Sequence, residues 1–281
     1  MSQHGDIMNK LKLETQTQVI NGLVEGMSVR SVERLTGVHR DTILRLMVRV
    51  GTASQEMMDA TLRNLPCARI EVDEIWCYVG KKQRHVSLTD NPTAVGDFWT
   101  WVALDADTKL VPTHLVGKRD APTAQAFMND LSSRLQNRVQ LSSDGLKLYI
   151  EAVEQGFGGE IDYATIVKSY EAEPIGPGRY SPPKVVSTEK SKVVGNPVDA
   201  LISTSFVERQ NLTLRMANRR FTRLTNAFSK KAENLTAAVS LHFAWYNFVR
   251  KHRTLGTTPV VAAGVWNRPW ALNELVELAG W

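Results

Sequence analysis

The sequence predicts an α/β domain preceded by an all-α module, and three observations carry the prediction. Apolar residues recur at helical spacing through the first fifty positions; from residue 70 they alternate as in strands; and the runs then follow in the order strand, strand, strand, helix, strand, helix, whose two crossovers imply helices layered on a sheet. The 281 residues suffice for one large domain or two modest ones, and 43% hydrophobic with 22% charged residues argues against a disordered or fibrous chain. No run approaches the roughly 18 apolar residues of a membrane span, and Met1 to Lys10 is too polar for a signal-peptide core, so a cytoplasmic protein without membrane contact is expected. Cys67 and Cys77 show neither zinc-ligand spacing nor a disulfide framework and read as reduced thiols.

Taken in order, Thr15 to Val50 reads as three short helices. Val19, Ile20, Leu23 and Val24 stripe the first, Val32 and Leu35 the second, and Ile43, Leu46, Met47 and Val50 the third, with Gly26 and Ser28 breaking the first helix and Thr36-Gly37-Val38 turning the second. That is helix-turn-helix spacing, and it places His39, Arg40, Thr42 and Arg45 on the outward side of the third helix, where a recognition helix meets base edges and phosphates. A plain three-helix packing module shares the pattern. Gly51 to Arg69 reads as a separate connecting helix ended near Pro66, so the expected boundaries are a helix-turn-helix domain at 1–52 and a linker at 53–68.

Behind the linker, Ile70 to Val79 alternates as a buried strand, and Asp97 to Ala106 and Leu110 to Val116 form a hairpin about Asp105-Ala-Asp-Thr-Lys109. Helices follow at Pro122 to Leu135 and Leu146 to Gln155, around a strand at Arg138 to Ser143. Gly156 to Thr204 holds six of the 18 glycines and five of the 11 prolines, and reads as a loop-rich insertion with one strand, Tyr163 to Tyr170, inside it. Helices resume at Phe206 to about Arg219 and Ala232 to Arg250, closing the α/β domain at 69–258 before a tail at 259–281 that carries Trp266, Trp270 and Trp281. Ile202 to Thr254 carries ten Lys or Arg against two acids, so the net charge of +5 is concentrated there, as suits either a polyanion partner or a solvated helix face.

Three carboxylates stand where elements end or where charge is costly. Asp73 lies within the first strand between Val72 and Ile75, and a charge in a core strand needs a partner or a cation. Asp144 stands at the carboxyl end of the fourth strand in Ser143-Asp144-Gly145, where α/β folds place ligands, though a turn or N-cap aspartate has the same signature. Glu208 opens a helix in Ser205-x-x-Glu208, a capping box by pattern, yet Asn211 or Leu212, Arg215 and Arg219 follow at helical intervals, as suits a metal site beside a phosphate track. Gathered by tertiary folding, three such acids could hold two divalent ions about 3.5 to 4 Å apart, magnesium being the natural choice. Asp105 and Asp107 read as solvent-facing turn residues, Glu74 points to the opposite strand face from Asp73, and His242 and His252 read as packing or phosphate-contact residues.

Val72-Asp-Glu-Ile-Trp76, Leu141-Ser-Ser-Asp-Gly-Leu-Lys-Leu-Tyr149, Ser203-Thr-Ser-Phe-Val-Glu-Arg-Gln-Asn-Leu212 and Tyr246-Asn-Phe-Val-Arg-Lys-His252, behind a helix-turn-helix, together resemble the transposases of the insertion sequence 1 family. The resemblance runs from about Leu13 to Trp266. It implies an RNase H-like catalytic domain with a DDE triad, so that Asp73, Asp144 and Glu208 are expected as catalytic and metal-binding residues for two Mg2+ ions, with Mn2+ as a substitute. It implies cleavage at the ends of an insertion sequence and strand transfer into target, on double-stranded DNA, by a homodimer or higher oligomer. The cysteine-rich zinc-binding segment that many members carry ahead of the helix-turn-helix has no counterpart in this sequence. The DNA-contacting residues expected are His39, Arg40, Thr42, Arg45, Lys147, Arg209, Arg215, Arg219 and Arg220. An RNase H-like nuclease that cuts without joining, and a helix-turn-helix regulator, are the alternatives.

Overall fold

In the computed structural model, which describes residues 10–171, 184–222 and 225–280, the chain opens with α1 (Leu13–Val24), α2 (Val29–Thr36) and α3 (Arg40–Thr61). Val19, Ile20, Leu23 and Val24 of α1, Val32 of α2 and Ile43, Leu46, Met47 and Val50 of α3 are buried, as their spacing predicts. Ser28 caps α2 by accepting the Ser31 amide, and Gly37 ends it in the left-handed region at φ +71°, which glycine enters without steric cost. The expectations for Met1 to Asn9 and for Trp281 lie outside the described residues.

A six-stranded mixed sheet follows. Its strands are β1 (Arg69–Val79), β2 (Gly96–Asp105), β3 (His114–Gly117), β4 (Val139–Ser143), β5 (Ile161–Glu171) and β6 (Lys184–Val194), in the order β3-β2-β1-β4-β5-β6. β1 pairs antiparallel with β2 and parallel with β4; β4 and β5 are parallel, and β5 and β6 antiparallel. The crossovers are α4 (Ala121–Arg134), capped by Asp120, and α5 (Leu148–Phe157). Next come α6 (Ser205–Ala217), α7 (Ala232–Ala244), which runs on as a π-helical turn at Trp245–Val249, α8 (Pro259–Ala262) and α9 (Leu272–Glu277). Central β1 is covered on both faces: Trp101, the cross-strand partner of Glu74, packs on Phe127 of α4 and Tyr149 of α5, and α6 crosses the other face.

Several expectations need correction. α3 does not stop at Val50 but runs unbroken to Thr61, through the expected boundary at 52/53. Gly51 is needed for contact rather than for a break: a Cβ there would lie 2.1 Å from the Ala237 carbonyl oxygen of α7. The end of α3 is tied to α4 by Arg134, 3% exposed, which pairs with Asp59 and with Asp130. The stretch 156–204 is not an insertion throughout, because β5 is integral to the sheet and 184–194, read as loop, is strand β6; residues 172–183 of that stretch lie outside the described residues. β6 lacks the alternation of a half-buried strand, since its side chains from Val185 to Val193 are exposed, so periodicity gave no signal. β3 starts at His114 rather than Leu110. Asp105 is buried rather than solvent-facing, its carboxylate folded back onto the Asp107 and Thr108 amides of its own turn.

Candidate active site

Strand alternation decides what each acid of β1 touches. Glu71 and Asp73 face α6; Glu74 faces α4 and α5. The Asp73 carboxylate accepts one hydrogen bond from the Asn211 side-chain amide, 2.8 Å from Nδ2 to Oδ2. Burial foremost pushes its pKa up to about 6, the negative charges of Asp144 and Glu208 add to that rise, and the Asn211 hydrogen bond opposes it. Asp73 therefore lies in a field of like charge balanced directly by a neutral amide.

Asp144 follows the carboxyl end of β4, beside β1. Its Oδ1 accepts the Leu146 amide at 2.9 Å, so the turn role expected of an Asp-Gly pair is present, while its charge acts on both Asp73 and Glu74. Glu208 stands in the first turns of α6, and here the capping box is corrected. The N-cap is Thr204, not Ser205, which puts Glu208 beyond the reciprocal position. Its carboxylate instead accepts the Thr204 hydroxyl at 2.7 Å and pairs with Lys168 of β5 at 2.5 Å. The amides of Phe206 and Val207 at the start of α6 go to Glu71.

Asp73, Asp144 and Glu208 thus share one electrostatic neighbourhood despite their separation in sequence. Among the described residues, no three His, Cys, Asp or Glu side chains converge closely enough to hold one ion in common, and Glu208 is engaged by Lys168. The donor chemistry nevertheless suits a hard divalent cation. The site offers carboxylate oxygens and one further oxygen, Oδ1 of Asn211, which is buried without a hydrogen-bond partner. In the sequence Asn211 carries only a helical interval from Glu208 and a place in the Ser203–Leu212 motif; its contact with Asp73 depends on how α6 lies across β1.

Glu74 is bound differently. Arg119 pairs with it at 2.5 Å and the Tyr149 hydroxyl donates to it at 2.9 Å. Burial, followed by the charge of Asp144, still pushes its pKa up to about 7 against the pull of Arg119.

The cations expected to touch DNA fall into three groups. His39, Arg40 and Arg45 are exposed at the start of α3 with Thr42 half-buried between them; His39 caps the helix, and Arg45 reaches the Thr42 hydroxyl. Lys147 and Arg209 are exposed next to the loops and turns that carry Asp144 and Glu208. Arg215, Arg219 and Arg220 do not form the expected row along one helix. α6 ends at Ala217, so Arg219 and Arg220 fall in a separate 3-10 turn, and half-buried Arg220 donates to Ser229, burial drawing its pKa down to about 10. Half-buried Arg215 acts on Cys77 of β1, whose thiol burial pushes up to about 12. His242 is buried with neither ring nitrogen hydrogen-bonded, the packing outcome, and Cys67 and Cys77 are free and buried.

No protein-family model matches the chain, and no curated protein sequence matches it. Among solved structures it is similar to the Mos1 strand transfer complex at 14% identity over 55% of this chain and 57% of that chain, with a TM-score of 0.21. It is similar to the Mos1 mariner paired end complex with Mn at 13% identity over 55% and 59%, with a TM-score of 0.21. It is also similar to a piggyBac transposase synaptic complex with hairpin DNA at 10% identity over 95% and 69%, with a TM-score of 0.39. The chain spans less than two-thirds of the length of these Mos1 chains.

Proposed function

We propose that the chain is a DNA transposase of the insertion sequence 1 type, cutting phosphodiesters at the ends of a mobile element and joining the freed ends to target DNA. The observation that carries this reading is the shared field of Asp73 in the central strand, Asp144 at the end of the neighbouring parallel strand and Glu208 on the helix across them. Asp73, Asp144 and Glu208 would hold the metal, two Mg2+ or Mn2+ ions. Bound ions of this kind activate water or a sugar hydroxyl and stabilise the leaving oxygen of a phosphodiester. The chain's own residues orient that chemistry. Asn211 fixes the Asp73 carboxylate, the turn after β4 holds the Asp144 carboxylate through the Leu146 amide, and exposed Lys147 and Arg209 offer phosphates a cationic approach. The helices α1 to α3 act as a helix-turn-helix module on double-stranded element ends, with His39, Arg40, Thr42 and Arg45 toward the groove. The reading includes an oligomer on DNA and a cytoplasmic location; no helix among the described residues is long and apolar enough to cross a membrane.

The test is a joining assay. Labelled duplexes spanning both ends of the element that encodes the chain are incubated with the protein, supercoiled target and Mg2+ or Mn2+. The expected result is metal-dependent cleavage and joined product from wild type and neither from Glu208→Gln, with DNA binding and melting unchanged in the variant. Cleavage without joining selects the RNase H-like nuclease instead. Full activity in Glu208→Gln removes that residue from the metal site.

A further inference from the structure

We infer that Glu71 is a positioning residue of this site, one that holds the helix carrying Glu208 and Asn211 in register with the strand carrying Asp73; the inference rests on the metal-site reading above. Glu71 is 3% exposed, and its charge acts on Lys109 and Arg69 nearby. Its Oε2 accepts two backbone amides, from Phe206 at 2.7 Å and Val207 at 3.0 Å, across 135 and 136 residues of chain. The first amides of a helix have no carbonyl within the helix to bond, and Thr204 at the N-cap makes no side-chain cap. The carboxylate of β1 supplies the missing acceptor, with a charge that also suits the positive end of the helix dipole.

The two ties between β1 and α6 are commensurate. Glu71 and Asp73 are two strand residues apart, about 6.7 Å at the usual strand rise. Their partners, the amides of 206 and 207 and the side chain of Asn211, are four to five helix residues apart, about 6 to 7.5 Å. Both contacts therefore form together without straining either element, and two points fix both the slide and the rotation of α6 on the sheet. Glu208 lies between the two points, so its place relative to Asp73 and Asp144 is set by them. Glu71 needs no contact with metal or DNA to act in this way.

The experiment uses the full chain, with Mn2+ as the probe. Wild type, Glu71→Ala, Glu71→Gln and Glu71→Asp are compared by Mn2+ titration calorimetry, by amide hydrogen exchange without metal, and by thermal melting. Glu71→Ala removes the acceptor, so faster exchange at Phe206 and Val207 is expected together with Mn2+ affinity about 10- to 100-fold weaker, the usual cost of losing a group that orients metal ligands. Glu71→Gln keeps an oxygen that accepts both amides, and its affinity stays within about threefold of wild type. Should Glu71→Ala fail to fold, Glu71→Asp gives the same reading, because it keeps the charge but draws the carboxylate back by one methylene; weakened Mn2+ binding with faster exchange is again expected.

Wild-type Mn2+ affinity in Glu71→Ala or Glu71→Asp, with exchange at 206 and 207 accelerated, overturns the inference and leaves Glu71 as a helix cap. Glu71→Gln failing alongside Glu71→Ala while those amides stay protected also overturns it, since Glu71 would then act through its charge. A wild-type chain that binds no Mn2+ overturns the metal-site reading itself and the positioning role with it.

Discussion

The two faces of β1 hold acids with different neighbours, Glu71 and Glu74 buried and Asp73 half-buried. On the face under α4 and α5, Glu74 is met by a guanidinium and a phenol, so it has a counter-charge and a donor within the protein. On the face under α6, Glu71 accepts two backbone amides with Lys109 and Arg69 in reach of its charge, whereas Asp73 is met by a carboxamide, a neutral donor. The contrast separates Glu74 and Glu71, which are tied into the fold, from Asp73, whose charge remains available to an external cation. A buried charge without a counter-charge is costly, and a structure keeps it where something else supplies the opposite sign.

The largest effects come from removing one acid from each face. Asp73→Asn is expected to lower metal-dependent DNA cleavage about 10³-fold, since a metal contributes several kcal/mol to such a transition state, while the melting temperature holds or rises because a repelled buried charge is gone. Glu74→Leu is expected to do the reverse: Mn2+ affinity close to wild type, and a stability loss of about 1 to 3 kcal/mol by urea unfolding as the Tyr149 hydroxyl and Arg119 lose their acceptor. Arg119 is 37% exposed, so water replaces part of what it loses and the lower end of that range is favoured. Equal effects of the two variants on cleavage would erase the distinction between the faces.

Next in size is the pH dependence of the metal-free protein. Folding raises the pKa of Asp73 from 3.8 to about 6 and that of Glu74 from 4.5 to about 7. The folded state therefore binds more protons than the unfolded state between about pH 4 and 7, and the stability these groups contribute is lost as pH rises through that window. Unfolding by urea should cost about 3 to 4 kcal/mol less at pH 7.5 than at pH 5 without metal, and saturating Mn2+ should restore stability at the higher pH by binding only the folded form. A pH profile that rises toward 7.5 without metal would show that the acids are neutralised within the protein.

The smallest effect concerns the partner that Glu208 already has. Lys168 and Glu208 form a pair in which Glu208 is 45% exposed, a geometry worth at most about 1 kcal/mol. Lys168→Gln should leave melting within about 2 °C of wild type, given that stability change and a domain of this size. It should also tighten Mn2+ binding a few-fold, because the ammonium no longer competes with the ion for the carboxylate. Weaker Mn2+ binding in Lys168→Gln would mean that the lysine orients Glu208 rather than competing for it.

Much of the architecture was legible from local pattern. The three N-terminal helices, the breaks at Gly26 and Gly37, the long alternating strand at 69–79 and the crossover helices are written in residues within a turn or two of one another, where side-chain spacing and glycine conformation act directly. Three features were not legible for the same reason. Gly51 looked like a boundary, although its lack of a side chain serves contact with Ala237, 186 residues away. β6 carries exposed residues along most of its length and so shows no buried stripe. Ser205-x-x-Glu208 matches a capping box, yet the helix starts one residue earlier than that motif requires, and its first amides bond to Glu71 of β1.

The sequence by itself determined which residue types stand at which element ends, and hence that Asp73, Asp144 and Glu208 deserve attention: a charge inside an apolar strand, an acid at a strand's carboxyl end and an acid near a helix start are each local facts. Only the tertiary structure decided what those acids face. Strand alternation makes Glu71 and Asp73 neighbours of α6, but that α6 lies there, with Asn211 on Asp73, Lys168 on Glu208 and Glu71 on the amides of 206 and 207, depends on contacts across 40 to 138 residues. Chain-local rules reach as far as one hydrogen-bonded turn or one hairpin; the partner of a buried charge is chosen when distant elements pack, because only then does losing water force each charge to find its complement.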